Sequence, residues 1–453
     1  MSALAVICAV PLIAAPVAIA TAPAAHASVS RIGLTNRVLE VHANNNATSI
    51  RVRHSGANTV VTEVGTNGTW TYPTGSVQRV VFNGGSANDS FDAAGLNLPV
   101  LAKGNGGNDQ LIGGNARDTL VGAAGIDTLS GGAEDDTLVT IDTRTDDTAN
   151  GGPGRDTYWR DAVNGSYDSA SVTADDFDNR VAEFANGADR TLNGDDIADP
   201  SLPANWSYVA QPNRPLFATR GPSGSDVFQG RISNCKVVSS LSAVAHNTRS
   251  GNAFPIRRAM ADFGDGTFGV RLNGRFYRVD NQLVRNSNGV WASAGAGAEN
   301  SMWVSIAEKA IALHDAVAPG SPYLRLQSTS PSVIFDGFGS ESFASPLIRG
   351  EFASSAADLG NKLFAKWNSY QNVVITLTPP VSTVNGVHAY TLWNVNRNAA
   401  GTVTSLQLRN PYGNADGSAN GYSDANANDA MVTLTPAQVF ADNGGRVSWG
   451  TAG

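Results

Sequence analysis

The chain has 453 residues, of which 31 are basic and 39 acidic, so its net charge is −8. This length allows two or three domains, and the acidic balance argues against nucleic acid as a partner. The chain carries 48 glycines but only two cysteines, Cys8 and Cys235.

Residues 1–27 form an apolar stretch without Asp, Glu, Lys or Arg, and the stretch ends in Ala25-His26-Ala27. This small-x-small ending predicts a signal peptide and therefore a secreted, extracellular protein, although the usual basic start is missing. A transmembrane anchor is the alternative, but three prolines and the lack of stop-transfer charges argue against it. No second apolar span follows, so we expect no membrane span in the mature chain.

Short β-rich runs such as 38–41 and 49–53 alternate with Asn and Gly turns over residues 28–83. They predict a β-rich cap on the repeat region that follows.

A nine-residue repeat starts at Gly104 and reads GNGGNDQLI, GGNARDTLV, GAAGIDTLS and GGAEDDTLV. Flanking units extend it over residues 84–162. The glycines permit left-handed turns, the leucines point inward, and the aspartates and turn carbonyls offer oxygen ligands. In the RTX repeats, which these units resemble, two units make one coil, so Asp109 would stack on Asp127 and Asp118 on Asp136. The predicted metal ligands are Asp89, Asp109, Asp118, Asp127, Asp136 and Asp156.

These units resemble the GGxGxDxUx nonapeptide of RTX proteins, which implies an all-β parallel β-roll that binds Ca²⁺. Dense oxygen ligands also suit calcium on chemical grounds. The alternative is a glycine-rich acidic linker that never folds, but two residue types in the same nine-residue phase argue against it. Ala116, Glu134 and the irregular stretch 142–150 predict that some sites are weak or empty.

Residues 163–211 are rich in Asp and Asn and are interpreted as the end of the roll plus an acidic linker, with one short helical candidate at 181–184.

Cys235 is the only cysteine left after removal of the leader, and apolar residues at helical spacing follow it. An unpaired cysteine in a secreted protein is either a buried, inert side chain or a reactive thiol. Cys235 would lie in the first helical turn, after Ser233 or Asn234 as N-cap. The helix dipole there is expected to lower the thiol pKa, which favours a nucleophile.

His388 and Asn410 lie on two strand-like segments separated by the turn-rich residues 396–401. A hairpin centred on Ala399 would pair His388 with Asn410, although the sequence alone does not fix the register. A histidine on a half-buried strand is often only structural. Combined with Cys235, however, this pair meets the needs of thiol acyl transfer, and the Gln229 amide could join the Cys235 N–H in an oxyanion hole.

Three motifs carry a resemblance to the calpain-type cysteine proteases: Q-G-x-x-x-x-C at 229–235, G-x-H-A-Y at 386–390 and L-R-N-P-aromatic-G at 408–413. Residues 302–310 and 421–424 resemble two further family segments. The resemblance implies an α+β papain-like cysteine protease domain over 212–453, with a Cys-His-Asn triad. Ser233, Asn234 and Lys236 depart from the family's Gly-Asp before and Trp after the cysteine, which leaves an inactive protease as an alternative.

The sequence therefore predicts a multidomain, secreted, calcium-binding cysteine endopeptidase acting on protein or peptide substrates. One alternative is a calcium-dependent adhesin with an inactive protease-like domain, so that cell-surface attachment stays open. Transglutaminase chemistry is a third, but it uses Asp where this chain has Asn410. No calcium-ligand loop is recognisable after Pro212, so the fragment from Pro212 onward is expected to act without calcium.

Overall fold

The computed structural model describes residues 28–212, 214–246, 254–315, 322–338, 345–379, 381, 386–412 and 431–450. The predicted signal peptide and the 421–424 motif lie outside the described residues. The described chain forms an all-β parallel roll followed by a unit of mixed helices and sheets, which confirms the predicted fold class.

Seventeen strands build the roll region. They are β1 Val29–Thr35, β2 Val38–Ala43, β3 Ser49–Ser55, β4 Asn58–Glu63, β5 Thr69–Pro73, β6 Arg79–Asn83, β7 Ser90–Asp92, β8 Val100–Gly106, β9 Gln110–Ile112, β10 Thr119–Ala124, β11 Thr128–Ser130, β12 Thr137–Thr140, β13 Thr148–Asn150, β14 Thr157–Val163, β15 Ser166–Tyr167, β16 Ser169–Ala170 and β17 Phe177–Val181.

From β5 to β14 successive strands alternate between two facing sheets, whose strand orders are β1-β2-β6-β8-β10-β12-β14-β15 and β16-β13-β11-β9-β7-β3-β4-β5. The coils pair in parallel with the predicted offset, so that Leu120 lies beside Leu138 and Leu111 beside Leu129. All four leucines are fully buried between the sheets. The nine-residue period therefore sets both the coil length and the core.

The region predicted as a cap continues the same two sheets, because β2 pairs in parallel with β6 and β3 with β7. Strands β1, β4 and β5 then pair antiparallel and cover the N-terminal end. At the other end β17 adds a further parallel strand to β14. The helical candidate at 181–184 is wrong, because Val181 ends β17 and its side chain is buried.

Ten further strands and seven helices build the described part of the second unit. They are β18 Ser207–Ala210, α1 Cys235–His246, α2 Phe254–Ala259, β19 Met260–Asp262, β20 Thr267–Leu272, β21 Arg275–Asp280, β22 Gln282–Arg285, α3 Trp303–His314, α4 Pro322–Arg325, α5 Pro331–Gly337, α6 Ala356–Asn368, β23 Asn372–Leu377, β24 His388–Arg397, β25 Val403–Arg409, β26 Met431–Leu434, α7 Pro436–Phe440 and β27 Arg446–Gly450.

This unit has two apolar cores that meet at β23 and β24. One lies among α1, α3 and the strands β20 to β22, and the other lies between α6 and the five-stranded sheet β26-β25-β24-β23-β27. Val374 of β23 and Ala389 of β24 belong to the first core although their strands belong to the second layer. Cys235 therefore stands where the helical layer meets the sheet.

A fourth apolar cluster joins the roll to the second unit. Val139, Trp159 and Phe184 pack there against Ala261 and Phe263, and the ring centroids of Trp159 and Phe263 are 5.8 Å apart. Among the helices that the structure describes, none is both long and apolar enough to cross a membrane.

Candidate active site and calcium-binding turns

Helix α1 begins at Cys235, as the sequence predicted. The amides of Val237 and Val238 both donate to the carbonyl of Asn234, which therefore occupies the N-cap position. Cys235 is half-buried, and its thiol takes a hydrogen bond from the Ala389 backbone, next to His388. The cysteine thus meets the first residues of β24.

The His388 ring is held by Asn410. His388 Nε2 lies 3.0 Å from Asn410 Oδ1, and the Tyr412 amide N–H donates to the same oxygen at 3.0 Å. A backbone N–H can only donate, so this second bond identifies the acceptor as the amide oxygen. The proton of the imidazole is therefore on Nε2, which leaves the Nδ1 lone pair free to act as a base.

The hairpin register differs from the prediction. Thr391 pairs with Arg409 and Leu392 with Leu408, followed by a bulge, so the continued register places Asn410 opposite Tyr390 rather than His388. The His388–Asn410 bond is consequently diagonal. The same register brings Tyr412 over His388, where the two rings stack with centroids 4.9 Å apart.

Burial shifts both titrating groups towards their neutral forms. It lowers the pKa of His388 to about 4, although the bond to Asn410 acts in the opposite direction. It also raises the pKa of the Cys235 thiol, and this effect outweighs the Ala389 hydrogen bond and the Lys236 charge. The expectation that the helix start lowers this pKa is therefore wrong, because desolvation is the larger effect.

A buried polar clamp fixes α1 against β24. Ser239 Oγ donates to the Ala389 carbonyl at 2.8 Å, and Thr391 Oγ1 donates to the Ser239 carbonyl at 2.7 Å. Ser239 lies one helical turn after Cys235 and therefore on the same helix face. Both hydroxyl side chains are buried. The clamp joins the helix face that carries Cys235 to the strand that begins at His388.

The loop before the cysteine is fastened to the asparagine segment. The Arg409 side chain donates to the carbonyls of Val227 and Ser225. The backbone N–H of Gln229 donates to the Pro411 carbonyl at 2.7 Å. The Gln229 side chain is buried, and its Nε2 donates to the Ile232 carbonyl at 2.8 Å. This bond uses one of the two N–H groups of the Gln229 side-chain amide and leaves the other for a ligand.

Glu308 of α3 supports the same loop from beneath. It is fully buried, accepts a hydrogen bond from the Asn234 side chain, and accepts the Ala294 amide at 2.7 Å. Burial raises the pKa of Glu308 to about 7. The neighbouring Lys309 forms buried ion pairs with Asp199 and Asp280.

In the roll, the repeat aspartates form two ladders along its edges. In each ladder, Oδ1 of one aspartate accepts the backbone N–H of the aspartate one coil earlier. The first ladder contains Asp89, Asp109, Asp127, Asp147 and Asp168, and the second contains Asp118, Asp136, Asp156 and Asp176. The predicted stacking of Asp109 on Asp127 and of Asp118 on Asp136 is confirmed.

The second carboxylate oxygen often has no partner. Oδ2 is buried without a hydrogen bond in five ladder residues of the described chain: Asp109, Asp127, Asp136, Asp147 and Asp156. In Asp109, Asp127, Asp136 and Asp156 this oxygen points towards the glycine that begins the turn; a Cβ built on Gly104 would collide with Asp109 Oδ2 and come within 2.8 Å of the Gly122 carbonyl oxygen. Uncompensated oxygens beside turn carbonyls are the donor set that calcium prefers.

The raised pKa values of the ladder aspartates also indicate carboxylates that need a compensating proton or cation. Burial raises the pKa of Asp109 to about 8 and that of Asp136 to about 9, and neighbouring carboxylates add to both shifts. Among the described residues no three carboxylate, imidazole or thiol groups converge on one point, so a cation in the roll would rely on backbone carbonyls as well.

The comparisons with known proteins agree with this geometry. The model of the calpain family of cysteine proteases matches residues 199–433, which is more than half of the chain. The chain belongs to the calpain family. The RTX calcium-binding nonapeptide repeat matches residues 103–139, in four copies. A search of curated proteins finds no match.

The sequence of this calpain-family chain predicts Cys235, His388, Asn410 and Gln229 as site residues. In the structure all four lie where the start of α1 and the loop before it meet β24 and the segment after β25. Their roles stay predictions, as do the six predicted calcium ligands and the domain boundaries. The segment predicted as a linker contains β17 and β18, and the family match starts within it at residue 199.

Sequence reasoning missed the residues that hold the site together, which are Ser239, Thr391, Arg409 and Glu308. Their contacts join segments far apart in the chain, so no local pattern marks them. It also missed Asp147, Asp168 and Asp176, because their turns lack the glycines of the repeat.

Proposed function

We propose that this chain is a secreted, calcium-binding cysteine endopeptidase with Cys235 as nucleophile, His388 as general base and Asn410 as its orienting partner. The observation that carries the proposal is the Asn410 amide, which holds the His388 Nε2 proton and leaves Nδ1 free beside the start of α1. Only one tautomer of the histidine fits this arrangement.

In the proposed mechanism the Cys235 proton moves to His388 Nδ1 as the sulfur attacks the peptide carbonyl. The oxyanion of the tetrahedral intermediate accepts hydrogen bonds from the Cys235 amide and from the second N–H of Gln229. The intermediate expels the amine, which takes the proton from His388. Water, deprotonated by His388, then attacks the thioester. The C–S bond breaks, the Cys235 sulfur takes the proton back from His388, and the acid is released.

Both groups are neutral before substrate binds, so the first step is a proton transfer from the thiol to the imidazole. A histidine with a pKa of about 4 is unprotonated at neutral pH and can accept the thiol proton. The thiol keeps its proton until substrate arrives, because burial raises its pKa.

Calcium would be held in the roll by the predicted ligands Asp89, Asp109, Asp118, Asp127, Asp136 and Asp156, together with turn carbonyls. When bound it would neutralise the stacked carboxylates and order the coils. The weak affinity expected of such a site suits the extracellular calcium that a secreted protein meets. The predicted signal peptide at 1–27 supports the same location.

Labelling with a thiol-directed epoxide tests the proposal against the adhesin alternative. The mature wild-type protein should incorporate one label at Cys235 and lose all peptidase activity. Cys235→Ser should take up no label and cleave no casein. Retained proteolysis by Cys235→Ser would contradict the assignment, and an unlabelled wild-type protein would favour the adhesin.

A further inference from the structure

The two proposed oxyanion donors, the Cys235 N–H and the Gln229 side chain, are connected through one carbonyl group. Gln229 Nε2 donates to the Ile232 carbonyl at 2.8 Å, and the backbone N–H of Asn234 donates to the same carbonyl, also at 2.8 Å. A carbonyl oxygen has two lone pairs, so it can accept both bonds. The positions of the two donors are therefore coupled.

Asn234 sets the direction of the Cys235 N–H. A peptide bond is planar, and in its usual trans form the C=O and the N–H point in opposite directions. The Asn234 carbonyl accepts the amides of Val237 and Val238 and therefore points into helix α1. The Cys235 N–H of the same peptide consequently points out of the helix start. A rotation at Asn234 would turn this N–H away from the oxyanion.

The Asn234 side chain is held by Glu308. Its Nδ2 donates to Glu308 Oε1, and Glu308 Oε2 accepts the Ala294 N–H at 2.7 Å. Asn234 is 1% exposed and Glu308 is fully buried, so water does not compete for these bonds. The segment that contains Ala294 also holds Ile232, whose N–H donates to the Ala292 carbonyl at 3.3 Å. One carboxylate of α3 thus supports Asn234 directly and Ile232 through the neighbouring segment.

The Asn234 amide can form this bond in two orientations. Its Oδ1 is buried and has no hydrogen-bond partner. The oxygen and the NH₂ group of an amide have similar shapes, so a half-turn would present Oδ1 instead of Nδ2 to residue 308. A donor at position 308 could then bind as well as an acceptor does. The connection therefore requires a hydrogen bond between the two side chains and not a charge.

We propose that Glu308 is a positioning residue of the oxyanion hole, acting through Asn234 on the Cys235 N–H and on the Gln229 side chain. Within the part of the chain that the structure describes, Glu308 bonds to Asn234 and Ala294 and not to the thiol or the imidazole. The oxyanion exists only during the chemical steps, so loss of Glu308 should lower kcat and leave KM nearly unchanged. The inference rests on the proposed peptidase activity and adds a role to it.

Steady-state kinetics of the mature chain on a peptide substrate test this role. Glu308→Ala and Asn234→Ala should each lower kcat by about tenfold or more, because a displacement near 1 Å can cost about a hundredfold. The double variant should be no slower than the slower single variant, since both changes break one connection.

Glu308→Gln should restore most of kcat, because its oxygen can accept the Ala294 N–H while its NH₂ group donates to Asn234 Oδ1. This rescue requires the asparagine. When Asn234→Ala is also present, Glu308→Gln should therefore be as slow as Asn234→Ala alone.

Ser305→Ala is the matched control. The Ser305 hydroxyl is buried on the same helix and donates to the Ala294 carbonyl at 2.8 Å, so it supports the same segment without contacting Asn234. Its kcat should stay near the parental value. Alkylation of Cys235 by iodoacetamide forms no oxyanion, so its rate should be the same in all variants.

Equal losses of kcat in Ser305→Ala and Asn234→Ala would overturn the proposal, because general support of the loop would then explain both. Additive losses in the double variant, or a Glu308→Gln protein as slow as Glu308→Ala, would overturn it too. If Glu308→Ala does not fold, the comparison of Asn234→Ala with Ser305→Ala decides. A parent protein that cleaves no peptide would instead contradict the proposed peptidase activity.

Discussion

At the scale of single residues, the site depends on one buried hydroxyl. Ser239 is one helical turn from Cys235, and its two bonds to β24 hold the thiol against the strand that begins with His388. Catalysis requires such placement, because displacements near 1 Å can cost about a hundredfold in rate.

Ser239→Ala should lower kcat by roughly tenfold or more, since the buried Ala389 carbonyl loses a donor and α1 can shift. Ser240→Ala is the matched control: its hydroxyl is also buried but bonds only to the Lys236 carbonyl of its own helix. Steady-state kinetics on a peptide substrate would compare them. Equal kcat values in the two variants would refute the clamp.

As the proposed general base, His388 should determine the acid side of the pH profile. Its pKa of about 4 means that the base is protonated, and activity lost, only as the pH falls below about 5. The acid limb of kcat/KM should therefore lie near 4 rather than near 6.5, and a limb at 6.5 would contradict the burial argument. His388→Ala should lose about 10²- to 10⁴-fold in kcat, and Asn410→Ala should lose less because the base itself remains.

At the scale of elements, the roll is a stack of coils whose carboxylates need protons or calcium. Folded pKa values of about 8 for Asp109 and Asp147, and about 9 for Asp136, lie above the value of an unfolded aspartate. The folded roll therefore binds more protons than the unfolded chain, and its calcium-free stability is full at low pH and lost as the pH rises through these values.

Urea unfolding of the Cys235→Ser protein, followed by far-UV circular dichroism, should show this trend. In chelator the roll transition should move to lower urea from pH 5 to pH 9, and in millimolar calcium the shift should largely disappear. Each bound ion should also release protons near neutral pH, measurable by calorimetry in buffers of different ionisation enthalpy. Calcium-free stability that rises with pH would contradict the argument.

At the scale of the whole molecule, the roll and the protease unit share an interface. Beyond the apolar cluster around Trp159 and Phe263, Arg257 of α2 pairs with Asp135 in a repeat turn, and Lys103 of the roll donates to the Leu192 carbonyl at 2.8 Å. Helix α2 in turn packs beside α1. The order of the roll is therefore expected to support the protease unit. The isolated fragment from Pro212 lacks the roll, so it is expected to be less stable than the same unit in the full chain.

Phe263→Ala tests this coupling, because Phe263 packs in the apolar cluster between the two units and not beside Cys235, His388 or Asn410. Truncation of a buried phenylalanine should cost about 3 to 5 kcal/mol of unfolding free energy. Calcium should raise the melting temperature of the protease unit in the Cys235→Ser parent, and this increase should shrink when Phe263→Ala is added. The same increase in both proteins would show that the two units are energetically independent.

The sequence by itself determined the features that are written locally. The nine-residue period fixed the coil length, the leucine core and the stacking of the aspartates, because each coil repeats the same short-range geometry. The start of α1 at Cys235, and the bringing together of His388 and Asn410, also followed from local patterns. The start of the cysteine helix is predictable because an N-cap residue and helically spaced apolar residues, all close in sequence, specify it.

Tertiary structure decided what depends on distant contacts. The bulge in the β24–β25 hairpin shifted the register and put Tyr412 over His388, which alternation alone does not specify. Burial between two layers reversed the expected direction of the Cys235 pKa shift. The coil at Asp147 was recognisable only after folding, because strand pairing with neighbouring coils holds its turn in shape where the sequence signal has been lost.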